Sequence, residues 1–337
     1  MDVNCFFVVD NPEATEVKLT TSLIKKRITI INSETNIGAP LSRNKGFEAG
    51  SGEYVLFLDD DVEAPQDLLE TYFEAIKKHP DSPGFIGSSR FPPCINSFTC
   101  ATKASDILTF WDIAENAPQL AWGVTANLIV KRSVANDIWF SSAFPRKGGG
   151  EDVDYCLRIV KKSKNWFTTV PTARVIHPWW EDGSHQYRRF ARWAYGDSTL
   201  PALHPTYKFR NAPNLLECIF LNFFIGLLLF GFLEKPTTWF FVWIFSATAL
   251  EFLMDGIRMR RAGKNQNLQV SIQATLIRLS NDMGRIVGHI RHLHFLGITE
   301  RFDYFMTGEH IQYERKVAFF KFALYAITTI SLFLLLA

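Results

Sequence analysis

The sequence predicts an α/β domain over residues 1–205, followed by a membrane region over residues 206–337. Two observations support this prediction. In the first part, short apolar runs rich in β-branched and aromatic residues alternate with helical stretches, as in a mixed, mostly parallel sheet flanked by helices. In the second part there are three long apolar segments, each close to the length that crosses a hydrocarbon core.

The elements of the first part follow from local patterns. Short β-rich runs predict strands at residues 5–9, 28–31 and 54–58, and then near residues 85–86, 128–130 and 166–170. Helical patterns occupy residues 40–49, 65–78 and 151–162. In residues 65–78 the apolar positions recur on one side of the helix, which indicates that this helix packs against a core.

The second part contains three candidate transmembrane helices, at residues 215–233, 237–254 and 317–337. A helix rises about 1.5 Å per residue and the hydrocarbon core is about 30 Å thick, so the second segment is marginal in length. Each segment could instead be a buried core helix. Near the start of the third segment, Lys321 is expected to extend toward the membrane surface.

Basic residues set the expected orientation of these helices. They precede the first and third segments and follow the second. The loop between the first two segments carries a single basic residue, Lys235. The positive-inside rule then places the α/β domain and residues 256–316 on the cytoplasmic side of a multi-pass membrane protein. Residues 256–316 suit an interfacial amphipathic helix, or equally a packed helix.

Composition limits the classes of partner. The 36 Lys and Arg residues balance 34 Asp and Glu residues to a net charge of +2, so no basic field indicates nucleic acid. Five scattered cysteines predict reduced thiols in a protein that faces the cytosol. The hydrophobic content of 47% is enough for a core, but it does not distinguish a core from membrane segments.

Three carboxylates, those of Asp59, Asp60 and Asp61, come directly after the apolar run at residues 54–58. Open α/β sheets bind ligands at the carboxyl ends of their strands. Carboxylates in a D-x-D pattern can hold Mg²⁺ or Mn²⁺ together with the phosphates of a substrate, which predicts a nucleotide diphosphate here. The alternative is a helix cap with acidic residues in the first turn.

A second acidic cluster follows three glycines, Gly148 to Gly150, and consists of Glu151, Asp152 and Asp154 at the start of a predicted helix. Glycines allow positive φ and close approach of a ligand. The helix dipole helps to keep such carboxylates ionised, so one of them could act as a general base for a hydroxyl. The alternative is an ordinary acidic helix start.

Several motifs in order resemble glycosyltransferase family 2, the inverting nucleotide-sugar enzymes of GT-A fold. They are VVDNP at residues 8–12, NIG at 36–38, RNKG at 43–46, GEYVLFLDDD at 52–61, GGEDVDYCLR at 149–158 and VPTARVIH at 170–177. The resemblance spans about residues 5–200. Each motif alone is weak evidence, and their common order makes the resemblance specific.

The resemblance implies a role for each matching residue. The donor nucleotide would be contacted by Asp10, Arg43, Asp59 and Asp60. The metal, Mn²⁺ or Mg²⁺, would be held by Asp61 with Asp59 and His177, although His177 could also be an ordinary residue at a strand end. Asp152 would be the base, assisted by Glu151, and the acceptor site would be shaped by Asp154, Gly149 and Gly150.

Residues 186–193 are similar, in imperfect register, to the Q-x-x-R-W signature of membrane polysaccharide synthases. In this interpretation Arg189 and Arg192 pair with the donor diphosphate, and a sugar ring stacks on the aromatic plane of Trp193. The alternative is a basic amphipathic helix that rests on anionic headgroups. The two readings are compatible.

The resemblance implies a membrane-bound inverting glycosyltransferase that moves a sugar from a nucleotide-diphosphate sugar, with UDP favoured, to an acceptor hydroxyl. A saccharide or lipid-linked acceptor is expected, with single addition preferred because few spans are expected. One departure is that the family's usual first strand, which lines the base pocket, is missing ahead of Asp10. The alternative is therefore a non-catalytic or regulatory partner of a membrane polysaccharide synthase.

Overall fold

The computed structural model describes residues 2–13, 28–233, 238–263 and 267–336, with side chains omitted at 226–233, 238–239, 333 and 335–336. The chain forms two compact units. The first comprises Met1–Pro93 and Leu108–Asp182, and the second comprises Cys94–Ile107 and Gly183–Ala337. The first unit ends at Asp182, before the expected domain boundary at residue 205. The expected division of function at residue 205 stays a prediction.

The strands lie close to their predicted positions. In chain order they are β1 Cys5–Val9, β2 Ile28–Asn32, β3 Tyr54–Leu58, β4 Gly84–Arg90, β5 Gln119–Leu120, β6 Asn127–Lys131, β7 Phe167–Ile176, β8 Lys208–Arg210 and β9 Glu300–Phe302. The helices are α1 Ala39–Ala49, α2 Leu68–Lys78, α3 Ser97–Ala104, α4 Arg132–Ala135, α5 Glu151–Ser163, α6 Tyr187–Asp197, α7 Leu200–Leu203, α8 Leu215–Leu233, α9 Thr238–Arg261, α10 Leu268–Arg291 and α11 Ile311–Leu336.

The first unit is a mixed α/β structure whose five-stranded sheet has the order β3-β6-β4-β7-β5. The expectation of a mostly parallel sheet is wrong, because only β4 and β7 are parallel neighbours and the other three pairings are antiparallel. A run of apolar residues does not encode strand direction. Since β6 is antiparallel to both neighbours, β3, β4 and β7 still run the same way, and their carboxyl ends share one edge.

In the part of the chain that the structure describes, β1 and β2 form a separate two-stranded parallel sheet.

The core of the first unit fixes the relative positions of β4, β6 and β7. Tyr72 of α2 is 1% exposed and donates a hydrogen bond to Asn127 Oδ1 at 2.7 Å. The amide of Asn127 in turn donates to Ala173 O at 2.8 Å. Close packing leaves no room for a side chain at position 87, because a Cβ on Gly87 would lie 2.2 Å from Asn127 Nδ2. The edge that carries the acidic residues is therefore rigidly supported.

Helices dominate the second unit. α10 packs against α6 and α3. Two glycines permit the close contact, since a Cβ at Gly284 would lie 1.8 Å from Ala191 O and one at Gly288 would lie 2.1 Å from Ser198 Oγ. The described residues of all three predicted spans are helical, within α8, α9 and α11, and residues 237 and 337 lie outside the described residues. Among the described residues, only Phe240–Arg261 is long and apolar enough to cross a membrane, so multi-pass topology is not supported.

An ion-pair network joins α9 and α11. Lys321 Nζ lies 2.7 Å from Glu251 Oε1 and 3.1 Å from Asp255 Oδ1, and its side chain is 14% exposed. Tyr325 also donates a hydrogen bond to Glu251. Lys321 therefore contacts two carboxylates of α9 instead of extending away from the helix pair. A sequence pattern could not give this result, because the partners are about seventy residues away in the chain.

A buried histidine on α10 predicts a pH dependence of stability. His289 is 1% exposed, and neither ring nitrogen has a hydrogen-bond partner among the described residues. Burial and the positive charges of Arg285, His294, Arg301 and His292 lower the pKa of His289 to about 4. The folded state therefore holds His289 neutral, and its contribution to stability is complete above the ordinary pKa of about 6.5. That contribution is lost as the pH falls toward 4.

Between pH 7 and pH 5, we expect His289 to lower the free energy of unfolding by about 2 kcal/mol, since each pKa unit is worth about 1.4 kcal/mol. The variant His289→Phe should flatten this part of the pH profile measured by chemical denaturation. An unchanged slope in this variant would show that other groups cause the acid sensitivity.

Candidate active site

The carboxyl ends of β3 and β7 bring together Asp59, Asp61 and His177. One potential ligand atom from each of these residues lies within 4.8 Å of the other two. His177 Nε2 lies 3.3 Å from Asp61 Oδ1 and 3.9 Å from Asp59 Oδ2. The loop after the acidic triplet is tied to the end of β7, because Glu63 and Ile176 exchange two backbone hydrogen bonds. The predicted grouping of these three residues at one sheet edge is thus observed.

The imidazole of His177 is oriented by the backbone. Its Nδ1 lies 2.7 Å from Pro178 O, and a carbonyl oxygen can only accept, so Nδ1 carries the proton. The other ring nitrogen, Nε2, then faces the two aspartates. The backbone N–H of His177 also donates to Arg90 O at 2.8 Å. A fixed tautomer of this kind is typical of a histidine that binds a metal.

The second acidic cluster begins α5 after a left-handed glycine turn. Gly148, Gly149 and Gly150 have φ of 84°, 131° and 84°, values that side chains with a Cβ rarely adopt. Glu151 is 3% exposed, and its Oε2 accepts a hydrogen bond from Gly149 N at 2.6 Å. The glycines are therefore required by the turn that presents the first carboxylates of α5.

Arg43 of α1 joins the two acidic clusters. Its Nη1 donates to Glu151 Oε1 at 2.9 Å, and its Nη2 lies 3.8 Å from Asp59 Oδ1. Burial opposes the charged form most strongly, but the carboxylates of Glu151, Asp59 and Asp152 together raise the pKa of Arg43. The guanidinium is therefore a permanent positive charge, with Asp59 on one side and Glu151 on the other.

Electrostatics at Asp59 favour a bound cation. Burial is the largest cause that raises the pKa of Asp59, and the charges of Asp61 and Asp60 add to it. Arg43 and His177 only partly offset this effect. Two carboxylates and one imidazole form a donor set that fits a divalent ion such as Mn²⁺.

Comparisons with known proteins found sequence relatives of part of this chain. The model described as Glycosyl transferase family 2 matches residues 1–90. Residues 1–90 of this chain are thus similar to glycosyltransferase family 2. TuaG of Bacillus subtilis (strain 168), assigned as a teichuronic acid biosynthesis glycosyltransferase, is 32% identical over 93 residues, 28% of this chain and 37% of TuaG. The amylovoran biosynthesis glycosyltransferase AmsB of Erwinia amylovora is 26% identical over 169 residues, 46% of this chain and 53% of AmsB.

The chain thus spans between about a third and a half of the length of the curated relatives that it matches. Among solved structures, the mannosyltransferase PcManGT from Pyrobaculum calidifontis, in complex with GDP-Man and Mn²⁺, is 14% identical with a TM-score of 0.44, covering 86% of this chain and 77% of its own. S. aureus TarS 1–349 is 17% identical with a TM-score of 0.36, covering 86% and 82%.

Other residues that the family 2 resemblance singled out have structural contacts. Both carboxylate oxygens of Asp10 accept backbone hydrogen bonds, from Ile37 N and Gly38 N, each at 2.7 Å. Asp154 is 5% exposed and pairs with Arg158 at 2.8 Å. These contacts hold the start of α1 and the first turn of α5. The roles of Asp10 toward the nucleotide and of Asp154 toward the acceptor stay predictions.

Three residues that are predicted to contact the nucleotide-sugar donor lie in the second unit. Arg189, Arg192 and Trp193 are half-buried on α6. The ring of Trp193 lies edge-on to Phe190, with centroids 5.6 Å apart. The contacts of these three residues with the donor stay predictions. The same holds for Asp60, which is exposed in the first unit.

Asp152 is the predicted base and remains half-buried at the start of α5. Its Oδ1 accepts a hydrogen bond from Val153 N at 2.9 Å. The carboxylates of Asp152 and Asp59 both help to raise the pKa of Arg43. Asp152 therefore belongs to the same electrostatic cluster as Asp59.

Sequence reasoning missed an aromatic group beside the predicted metal ligands. Phe91, Trp111 and Trp180 surround His177, with ring centroids 5.3, 5.0 and 5.3 Å from the imidazole. The only local signal was the pair of tryptophans that follows Pro178. Phe91 and Trp111 are far from His177 in the chain, so no pattern along the sequence could join them to it.

Proposed function

We propose that this protein is an inverting glycosyltransferase that moves a sugar from a nucleotide-diphosphate sugar to an acceptor hydroxyl and depends on a divalent metal. One observation supports the proposal most strongly. Arg43 connects the cluster of Asp59, Asp61 and His177 to the cluster of Glu151 and Asp152 within the first unit. A metal site and a base near each other are what displacement of a diphosphate by a hydroxyl requires.

In this proposal the residues have separate tasks. Asp61, Asp59 and His177 hold Mn²⁺ or Mg²⁺, which would supply positive charge to the departing diphosphate. Asp152 accepts the proton of the attacking hydroxyl, and its position at the start of α5 favours its ionised form. Glu151 is almost fully buried against Arg43 and therefore positions the start of α5 instead of meeting the acceptor.

The first experiment measures metal dependence. Purified protein should hydrolyse or transfer the sugar of a UDP- or GDP-sugar only when Mn²⁺ or Mg²⁺ is present, and EDTA should abolish the reaction. Calorimetry should show that Asp61→Asn weakens Mn²⁺ binding about 10- to 100-fold, since a metal ligand is lost. The exposed carboxylate of Glu63 provides a matched control, and Glu63→Gln should bind Mn²⁺ normally. Equal affinities in both variants would exclude this metal site.

The proposal extends to the location of the enzyme. We propose that it works at a cytoplasmic membrane surface on a saccharide or lipid-linked acceptor. Support comes from the apolar helix Phe240–Arg261 and from an exposed apolar stripe along α10. The stripe consists of Leu268, Ile272, Leu276, Met283 and Val287, each between 38% and 76% exposed. Such a stripe on a helix suits the boundary between headgroups and acyl chains.

One observation favours a second candidate function. Among the described residues the β1–β2 sheet is separate from the five-stranded sheet, an arrangement that would leave the nucleotide pocket open on one side. The protein would then be a non-catalytic or regulatory partner of a membrane polysaccharide synthase. Absence of heat on titration with UDP or GDP plus Mn²⁺ at millimolar concentration would favour this candidate over the enzyme.

A further inference from the structure

Two cysteines that the proposed chemistry does not use meet at the start of α3. Cys94 directly follows Pro93, and Cys100 is the fourth residue of Ser97–Ala104. Both carry free thiols, of which that of Cys94 is exposed and that of Cys100 is half-buried. The thiol of Cys100 shares a hydrogen bond with the thiol of Cys94, so the two sulfur atoms are in contact.

The N-terminal cap of α3 holds the two cysteines together. Asn96 is the N-cap residue and forms a capping box with Thr99. The backbone N–H of Ile95 donates to Thr99 Oγ1 at 3.0 Å, and the backbone N–H of Cys100 donates to Asn96 O at 3.2 Å. Because Ile95 follows Cys94 and Thr99 precedes Cys100, these bonds fold the chain so that Cys94 lies against the first turn of α3.

This cap lies where the chain passes between the two units. Cys94 begins the segment that leaves the first unit, and Gly183 begins the remainder of the second unit. The side-chain amide of Asn96 donates to Gly183 O at 2.9 Å. A Cβ on Gly183 would lie 2.9 Å from both Ile95 Cδ1 and Thr99 Cγ2. The start of each segment of the second unit therefore packs on the cap that holds the two thiols.

We propose that Cys94 and Cys100 are a modification site, at which glutathione disulfide oxidises the two thiols to a reversible intramolecular disulfide. Cys94 loses its proton, and its thiolate attacks one sulfur of glutathione disulfide and displaces a first glutathione thiolate. Cys100 then loses its proton, and its thiolate attacks the sulfur of Cys94 and displaces a second glutathione thiolate. The protein is oxidised by two electrons, and glutathione disulfide is reduced to two molecules of glutathione.

Exposure decides which thiols react. Burial, together with the hydrogen bond to Cys94, raises the pKa of Cys100 to about 11, so Cys100 is protonated at pH 7 and the exposed Cys94 reacts first. Cys156 and Cys218 are 0% and 3% exposed, and glutathione disulfide does not reach them in the folded protein. Cys5 is exposed on β1 and provides a comparison, because it should stop at the mixed disulfide with glutathione.

The test uses the full chain, reduced and then equilibrated with glutathione and glutathione disulfide at a series of ratios. Free thiols are trapped with N-ethylmaleimide, and the protein is digested with trypsin for mass spectrometry. Both cysteines fall in one peptide, residues 91–103, because Arg90 precedes it and Lys103 ends it. At oxidising ratios this peptide should be lighter by two hydrogen atoms and carry no maleimide, while Cys5 should carry glutathione. Dithiothreitol should restore two maleimide sites to the peptide.

The same equilibrium in urea measures what the fold contributes. Because the folded chain holds the two thiols in contact, the equilibrium constant for closing the disulfide should be at least about 10-fold larger in native buffer than in urea. By linkage, the oxidised protein should also unfold at a higher urea concentration than the reduced protein. A constant in native buffer that is equal to or smaller than the constant in urea would overturn the inference.

Two variants test the order of the steps. Cys100→Ser should leave Cys94 as a stable mixed disulfide with glutathione, and the control Cys5→Ser should form the disulfide of residues 91–103 normally. In the unsubstituted protein, two maleimides on this peptide at every ratio, or a persistent mixed disulfide on Cys94, would also contradict the proposed site. No step uses a sugar or a metal, so either result is separate from the test of the proposed function.

Discussion

Replacing Asp152 by asparagine should lower the rate of sugar transfer by about 10²- to 10⁴-fold, the usual contribution of a general base. The asparagine side chain has the same shape, and its oxygen can still accept the hydrogen bond from Val153 N. The helix start should therefore survive, while the group that accepts the proton is lost. Initial rates of nucleotide diphosphate release at saturating donor and acceptor measure the effect.

The control for this experiment is Asp81→Asn, which removes an exposed carboxylate from the loop between α2 and β4. It should retain full activity. Circular dichroism and unfolding midpoints should show that Asp152→Asn is folded like the unsubstituted protein. A folded Asp152→Asn variant with an unchanged rate would show that another group takes the proton.

Replacing Arg43 by methionine should lower the free energy of unfolding by about 3 kcal/mol. The guanidinium is 19% exposed and its partner Glu151 is 5% exposed, so the variant leaves a buried carboxylate without its charge partner. The neighbouring Asp59 also loses a positive charge that offsets the repulsion from Asp60 and Asp61. Chemical denaturation at pH 7 measures the loss.

Two further variants separate this pairing from general damage. Lys77→Met removes an exposed cation that pairs with Glu74 on α2, and its stability should not change measurably. The double variant Arg43→Met/Glu151→Leu should recover part of the loss, because an apolar pair replaces the unpaired carboxylate. A double variant less stable than Arg43→Met alone would mean that packing, and not charge, dominates at this position.

Local pattern was enough to predict most elements of the first unit. β1 and β3 have the predicted limits, and α5 differs by one residue, because each is bounded by turn residues that are visible in the sequence. The direction of β6 and the two-residue β5 were not predictable, since both depend on pairing with strands far away in the chain. The same holds for residues 94–107, which belong to the second unit although they interrupt the first.

The candidate site was predictable where a residue follows a strand or begins a helix. Asp59, Asp61 and His177 were found in this way, with support from the family 2 resemblance, and they lie together. The position of Arg43 was predictable from its motif, but its contact with Glu151 was not, because 108 residues separate the pair. The aromatic group around His177 was missed for the same reason, since only the fold brings Phe91 and Trp111 to this histidine.

The central claim is that the two acidic clusters enclose one metal-bound diphosphate. A crystal structure of the full chain with Mn²⁺ and UDP, with the metal located by anomalous scattering, tests it most directly. We expect a single Mn²⁺ peak in bonding contact with Asp61 and His177, with the diphosphate between that ion and Arg43. A peak elsewhere on the molecule, with no ion near Asp61 and His177, would contradict it.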